Sequence, residues 1–348
     1  MASTTNATKK KESLIPVEEE VTHPTEEKEP TPYTAPVSLT SYPPTYTMVM
    51  DSTVEHGIPL LLIGETGCGK TEFIRRSARQ QKKSLLRINL TGQTSREDLV
   101  GKYTLIEGNT VWVNGPLTDA LLKGEWILLD EINAALPEVL FLLQALLEVH
   151  NGQLGALRLV EKDGEEIIPH PDCRLFATCN PPGYLGTKDF NMATLSRFVT
   201  LWMNYVDEYT ELEIVKSYHP DLETQHEDFI KKMIVFANKI RYRKSKGESH
   251  YTCSTRDVLL FSQLVVGGVD EVLAYHSSYG GKIFSPHERA KIDTIFADIF
   301  KVAAPKEFVN TEELQAQTKA QGERIVTLEK ELETWNIMKK NGVVLHNS

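Results

Sequence analysis

The chain has 348 residues, a net charge of −10 and 41% apolar residues. That length sets an expectation of one large and one smaller domain, and the acidity argues against a protein held on duplex DNA by bulk electrostatics. No run is apolar enough for a membrane span, Met1 to Lys11 has no secretory core, and the four cysteines (Cys68, Cys173, Cys179, Cys253) show no C-x-x-C spacing. A reducing, cytoplasmic setting is the expectation.

Residues 1–45 mix Thr, Pro, Glu and Lys, with Glu18-Glu19-Glu20 and Pro30-Thr31-Pro32. Such a stretch buries too little surface to fold alone and reads as a disordered acidic tail. From Tyr46 to Tyr205 apolar strands alternate with helical stretches: strands near 59–63, 84–89, 126–130, 173–179 and 198–202, helices near 70–80, 117–123 and 137–149. This alternation predicts an α/β fold with a parallel sheet.

The first strand runs directly into Gly64-Glu65-Thr66-Gly67-Cys68-Gly69-Lys70-Thr71, which spells G-x-x-x-x-G-K-[ST] in a strand-to-helix setting. Glycines let successive N–H groups curl around phosphate oxygens, and the following helix aims its positive end at the same charge. Lys70 is placed to reach the β- and γ-phosphates and the Thr71 hydroxyl to ligate Mg²⁺. Downstream, Leu105 to Leu117 alternates about Gly108-Asn109 as a hairpin does. Trp126-Ile127-Leu128-Leu129-Asp130-Glu131 is then a buried strand ending in two carboxylates. Asp130 is expected beside the metal, and Glu131 one residue nearer the γ-phosphate to polarise water.

A second hairpin is predicted from Gly155 to Ile168, turning at Asp163-Gly164. His170, Cys173 and Cys179 lack a fourth partner for zinc, so structural cysteines are expected. Leu175-Phe176-Ala177-Thr178-Cys179-Asn180-Pro181-Pro182-Gly183 ends a strand that should neighbour both the loop strand and the acidic strand, with Asn180 projecting between Glu131 and the γ-phosphate. Arg197, in Leu195-Ser196-Arg197-Phe198, is a candidate for completing a neighbouring subunit's site. Residues 206–304 carry apolar positions at helical spacing and predict an all-helical second domain, in which Arg256 of Ser254-Thr255-Arg256-Asp257 opens a helix. In 305–348, Ile325, Leu328, Leu332 and Trp335 fall at a/d spacing, the pattern of a short coiled coil or of a terminal helix packed on its own body.

The set G-E-T-G-C-G-K-T, W-I-L-L-D-E-I-N, A-T-C-N-P-P-G, L-S-R-F and S-T-R-D, in this order, resembles AAA+ ATPases of the MoxR group. It is most similar to the dynein-related branch of CbbQ, NorQ, GvpN and the cobaltochelatase small subunit. The resemblance covers about residues 46–300. It implies a P-loop core with a five-stranded parallel sheet and a helical lid, ATP and Mg²⁺ as cofactors, Gly64 to Thr71 as Walker A, and Asp130 and Glu131 as Walker B. It further implies Asn180 as sensor 1, Arg197 as arginine finger and Arg256 as sensor 2. Both hairpins would face the pore of a ring, commonly a hexamer.

On that resemblance the expected function is ATP-driven remodelling of a protein client, with a partner bearing a von Willebrand factor A domain. Two alternatives stand beside it. One is a nucleic-acid motor or restriction-type nucleotidase, for which Lys239, Arg241, Arg243, Lys244 and Lys246 and Arg75, Arg76, Arg79, Lys82 and Lys83 would supply a backbone track. The other is the ATPase subunit of a metal chelatase.

Overall fold

Apolar runs too short for helices and bounded by turn residues become parallel strands here, and the helical repeats between them become the crossovers that parallel pairing requires. The structure is a computed structural model that describes residues 42–181, 192–220 and 222–302. Helix α1 (Pro44–Glu55) leads to β1 (Leu60–Gly64), α2 (Lys70–Gln80) and β2 (Leu85–Asn89). Next come α3 (Arg96–Val100), the hairpin β3 (Gly101–Ile106) and β4 (Asn109–Asn114), α4 (Pro116–Lys123) and β5 (Trp126–Asp130). They are followed by α5 (Pro137–Leu146), the hairpin β6 (Leu157–Leu159) and β7 (Glu165–Ile167), β8 (Arg174–Cys179), α6 (Met192–Leu195) and β9 (Val199–Met203).

The main sheet has the order β2-β5-β8-β1-β9, all parallel, and each of its strands begins within one residue of its expected start. As expected, β8 lies between β1 and β5: Leu60 pairs with Phe176, and Trp126 with Arg174. Both β1 and β5 are buried along their whole length, so they read as unbroken apolar runs rather than alternations. Successive side chains nevertheless serve opposite faces. Leu61, Ile63, Ile127, Leu129 and Leu175 pack with α4 and α5, through Leu121, Val139 and Leu143. Leu60, Leu62, Trp126, Leu128 and Phe176 pack with α1 and α2, through Met50, Phe73 and Ile74.

Several sequence expectations change in detail. The first hairpin begins at Gly101 and pairs Ile106 with Asn109, so its turn is Glu107-Gly108 rather than Gly108-Asn109. Both turn residues have positive φ (50° and 83°), the backbone of a two-residue primed turn, and the turn fixes the register. Pro116 and Leu117 belong to α4, with proline in the first turn where its missing N–H costs nothing. Helix α5 stops at Leu146 instead of 149, because Asn151 and Gly152, both at positive φ, turn the chain so that His150 bridges Gln153. The second hairpin turns at Asp163-Gly164 as read, with a single 3₁₀ turn before it. The tail boundary at 45 falls inside α1, and Tyr42 is buried with its ring edge-on to Phe73 at 4.8 Å. Residues 1–41, Pro182, Gly183 and the a/d positions after 305 lie outside the described residues.

Among the described residues five longer helices follow β9: α7 (Glu208–Tyr218), α8 (Thr224–Ser245), α9 (Thr255–Val266), α10 (Glu271–Ser278) and α11 (Pro286–Phe300). Side-chain caps at Asp207, Ser254, Asp270 and Ser285 start four of them, satisfying amides that the first helical turn leaves unpaired. Their shared core centres on Phe236, which is fully buried and meets Tyr275, Tyr279 and Phe296 edge-on at 5.5, 5.7 and 5.9 Å. Phe236→Ala is expected to cost about 3–5 kcal/mol through lost burial and the cavity left behind. Urea denaturation of the full chain measures this.

Candidate functional site

The C-terminal ends of β1, β5 and β8 lie together at one edge of the sheet, so the groups that follow each strand converge there. Thr66 to Thr71, Asp130, Glu131, Asn180 and Arg256 line one cavity of about 380 Å³, within the range of small-ligand sites. Gly67 (φ 74°) leaves no space for a Cβ, which would sit 2.6 Å from Ser254 Cβ at the start of α9. Only glycine lets the loop curl this close to the helical region.

Lys70 is buried, and its ammonium is held by three uncharged oxygens. It donates to the carbonyls of Gly64 (2.7 Å) and Glu65 (3.0 Å) and to Asn180 Oδ1 (3.1 Å). Among the described residues it forms no ion pair. A buried cation among neutral acceptors is an anion site in waiting, because its desolvation is only partly offset. Asn180 Oδ1 also accepts from Thr66 Oγ1 at 3.5 Å, and the Asn180 carbonyl from Asn133 Nδ2 at 3.4 Å.

Asp130 is 5% exposed. Thr71 Oγ1 lies 3.2 Å from each of its oxygens, Thr178 donates a short hydrogen bond to Oδ1, and Arg87 donates to Oδ2 through Nε (2.9 Å) and Nη2 (2.6 Å). A carboxylate beside a hydroxyl on the cavity floor is the hard-oxygen donor set that suits Mg²⁺. Glu131 is exposed and sits in the left-handed region (φ 57°, ψ 43°), with its amide donating to Thr178 Oγ1 at 3.1 Å. A non-glycine residue there costs on the order of 1 kcal/mol or more. The surrounding bonds impose it and turn the carboxylate out of the strand toward the cavity.

Arg256 lines the cavity, whereas Arg197 does not. Its guanidinium pairs with Glu148 at 3.0 Å, away from its own chain's loop. Val206, Ile214 and Leu259, with Tyr42 and Tyr218, give the same cavity an apolar part of its lining. Burial raises the Cys68 thiol in the loop and pushes Cys173 and Cys179 up to about 11, so all three stay protonated at neutral pH. Six residues of the two basic clusters form ion pairs within the chain. Arg241 pairs with Glu211, Lys244 with Glu65, Arg243 with Glu248, Arg75 and Arg76 with Glu72, and Lys83 with Asp172.

Residues 59–198, which hold the loop, the acidic strand, Asn180 and Arg197, match the AAA domain of the dynein-related subfamily. NorQ from Paracoccus denitrificans is 34% identical over 168 residues, covering 48% of this chain and 60% of that protein. CbbQ from Hydrogenophilus thermoluteolus is 29% identical over 222 residues, covering 62% and 78%. The gas vesicle ATPase GvpN from Haloferax mediterranei is 29% identical over 198 residues, covering 51% and 56%. The chain thus spans about three fifths of the length of NorQ.

Beyond the AAA domain a polar chain ties the loop to the helices, and sequence reasoning did not find it. Tyr205 Oη donates to the Thr66 carbonyl (2.8 Å), and its ring lies 4.0 Å under the Arg241 guanidinium. Arg241 bonds both oxygens of fully buried Glu211 (2.8 and 2.7 Å), which also accepts from Thr255 Oγ1 beside Arg256. Burial acts to lower the Arg241 pKa, but Glu211 outweighs it and holds the guanidinium above its ordinary value. The one readable signal was a glutamate at an apolar position of a helix. Glu211→Ala, leaving Arg241 buried and unpaired, is expected to cost about 3–5 kcal/mol. Glu211→Gln should cost less, and chemical denaturation of both variants checks the order.

Proposed function

We propose that the chain binds and hydrolyses ATP with Mg²⁺ at this cavity, as one subunit of a ring-forming, MoxR-type AAA+ ATPase. The observation that carries the reading is the buried Lys70 ammonium, held only by neutral oxygens and set beside Thr71, Asp130 and Asn180. Phosphate oxygens arriving in the loop give Lys70 an anionic partner, and the purine packs against the apolar lining of Val206, Ile214 and Leu259. Thr71 and Asp130 would hold Mg²⁺, which would supply neutralisation of β- and γ-phosphate charge.

Glu131 takes a proton from a water that Asn180 orients. The water oxygen bonds to the γ-phosphorus as the bond to the β,γ-bridging oxygen breaks, and ADP and phosphate leave. Arg197, turned away from its own cavity, stabilises the charge developing in the adjacent subunit's site, and Arg256 couples the helical region to the phosphates. The lid is taken as residues 206–304 and the nucleotide-binding domain as 46–205. The work done is remodelling of a protein client in the cytoplasm by a hexamer, with a von Willebrand factor A-type partner. The similarity to NorQ, CbbQ and GvpN supports the oligomeric part of this reading.

Glu131→Gln is expected to keep nucleotide and to lose turnover by about 10²–10⁴-fold, while Lys70→Ala weakens binding. Steady-state hydrolysis and equilibrium nucleotide binding read the two effects, and hydrolysis unchanged in Glu131→Gln removes that residue from the reaction. Mixing Glu131→Gln with Arg197→Ala tests the shared site. Activity recovers in the mixture if Arg197 serves the neighbour's nucleotide, and stays absent if it serves its own.

A further inference from the structure

Arg87 is the charged partner of Asp130 among the described residues, and nothing above gives it a role. It interrupts the otherwise apolar start of β2, Leu85-Leu86-Arg87-Ile88, and β2 pairs with β5 so that Asn89 lies opposite Asp130 and Arg87 opposite Leu128. Arg87 therefore shares a face with Asp130 and reaches it from one pleat back. Two Arg87 donors converge on Oδ2, Thr178 holds Oδ1, and the Thr71 hydroxyl lies equally near both oxygens. The carboxylate is buried, yet the Arg87 side chain is 48% exposed, so the cation can leave without unpacking a core.

Resting on the nucleotide reading above, we propose that Arg87 is a built-in counter-cation. It neutralises Asp130 when no divalent ion is present, and thereby sets how strongly nucleotide affinity depends on Mg²⁺. It is a positioning residue and not a catalytic one. A triphosphate brought up to an unpaired, buried Asp130 meets like-charge repulsion, which the guanidinium cancels in the absence of metal. With Mg²⁺ present the same guanidinium is a like charge beside the metal, and its removal relieves repulsion. Loss of Arg87 thus acts in opposite directions in the two metal states. A purely structural residue or a simple phosphate ligand would not behave so. Lys70 cannot substitute, because its ammonium is held by the loop carbonyls and Asn180.

The test is equilibrium binding of a fluorescent ATP analogue to the full chain, once in excess EDTA and once in saturating Mg²⁺, for wild type, Arg87→Met and Arg87→Lys. In Arg87→Met the ratio of the metal-free to the Mg²⁺-loaded Kd should rise about tenfold or more, the size of an ordinary coupling between two ligands. Arg87→Lys, which keeps the charge but not the two-donor fork, should fall between Arg87→Met and wild type, and keeps the test valid should Arg87→Met fold poorly. A ratio unchanged in both variants, or equal weakening in both metal states, overturns the proposal. Wild type that fails to bind the analogue in Mg²⁺ overturns the nucleotide reading itself, and this proposal with it.

Discussion

Asp130 is a carboxylate at the end of a strand that is buried on both faces, and a charge so placed must be met by polar groups or it destabilises the fold. Those groups come from three other elements: Thr71 from α2, Thr178 from β8 and Arg87 from β2. Each is within reach only because β5 lies between β2 and β8 and because α2 crosses their shared face. The sheet order and the position of the loop helix are therefore both read out at one side chain. Thr178 carries the constraint further: its hydroxyl donates to Asp130 and accepts the Glu131 amide, so the same contact that satisfies one acid holds the next in a left-handed backbone.

The loop obeys a second constraint, which is that its own buried cation must be met by polar groups. Lys70 folds back on carbonyls of its own loop and on Asn180. Around this the outer face of the loop is fastened to the helices through Glu65 to Lys244, Tyr205 to Thr66, and the close approach of Gly67 to Ser254. These contacts tie the loop to α8 and to the start of α9.

The strands and the loop were legible in sequence because their signals are local. An apolar run, a glycine pattern and two adjacent carboxylates each sit within eight residues or fewer. The hairpin turn was misplaced by one position because alternation alone does not distinguish Gly108-Asn109 from Glu107-Gly108; backbone φ at the two turn residues does. The end of α5 was overextended because apolar spacing continues to Val149, while the turn at Asn151-Gly152 forces an earlier exit. The Tyr42 anchor was assigned to the tail, since one tyrosine among prolines and threonines carries no periodic signal.

Order and identity along the chain thus determined which residue types would meet phosphate, metal and water, because the motif chemistry depends on neighbours close in sequence. Only the tertiary structure decided what those residues hold when the ligand is absent. Arg87 lies 43 positions from Asp130, Asn180 lies 110 from Lys70 and Arg241 lies 30 from Glu211, separations typical of pairings made only in the folded chain. It also decided that Arg256 lines its own chain's cavity while Arg197 pairs with Glu148 outside it. No spacing in one dimension separates those two arginines, since the difference arises from which end of the sheet each element leaves.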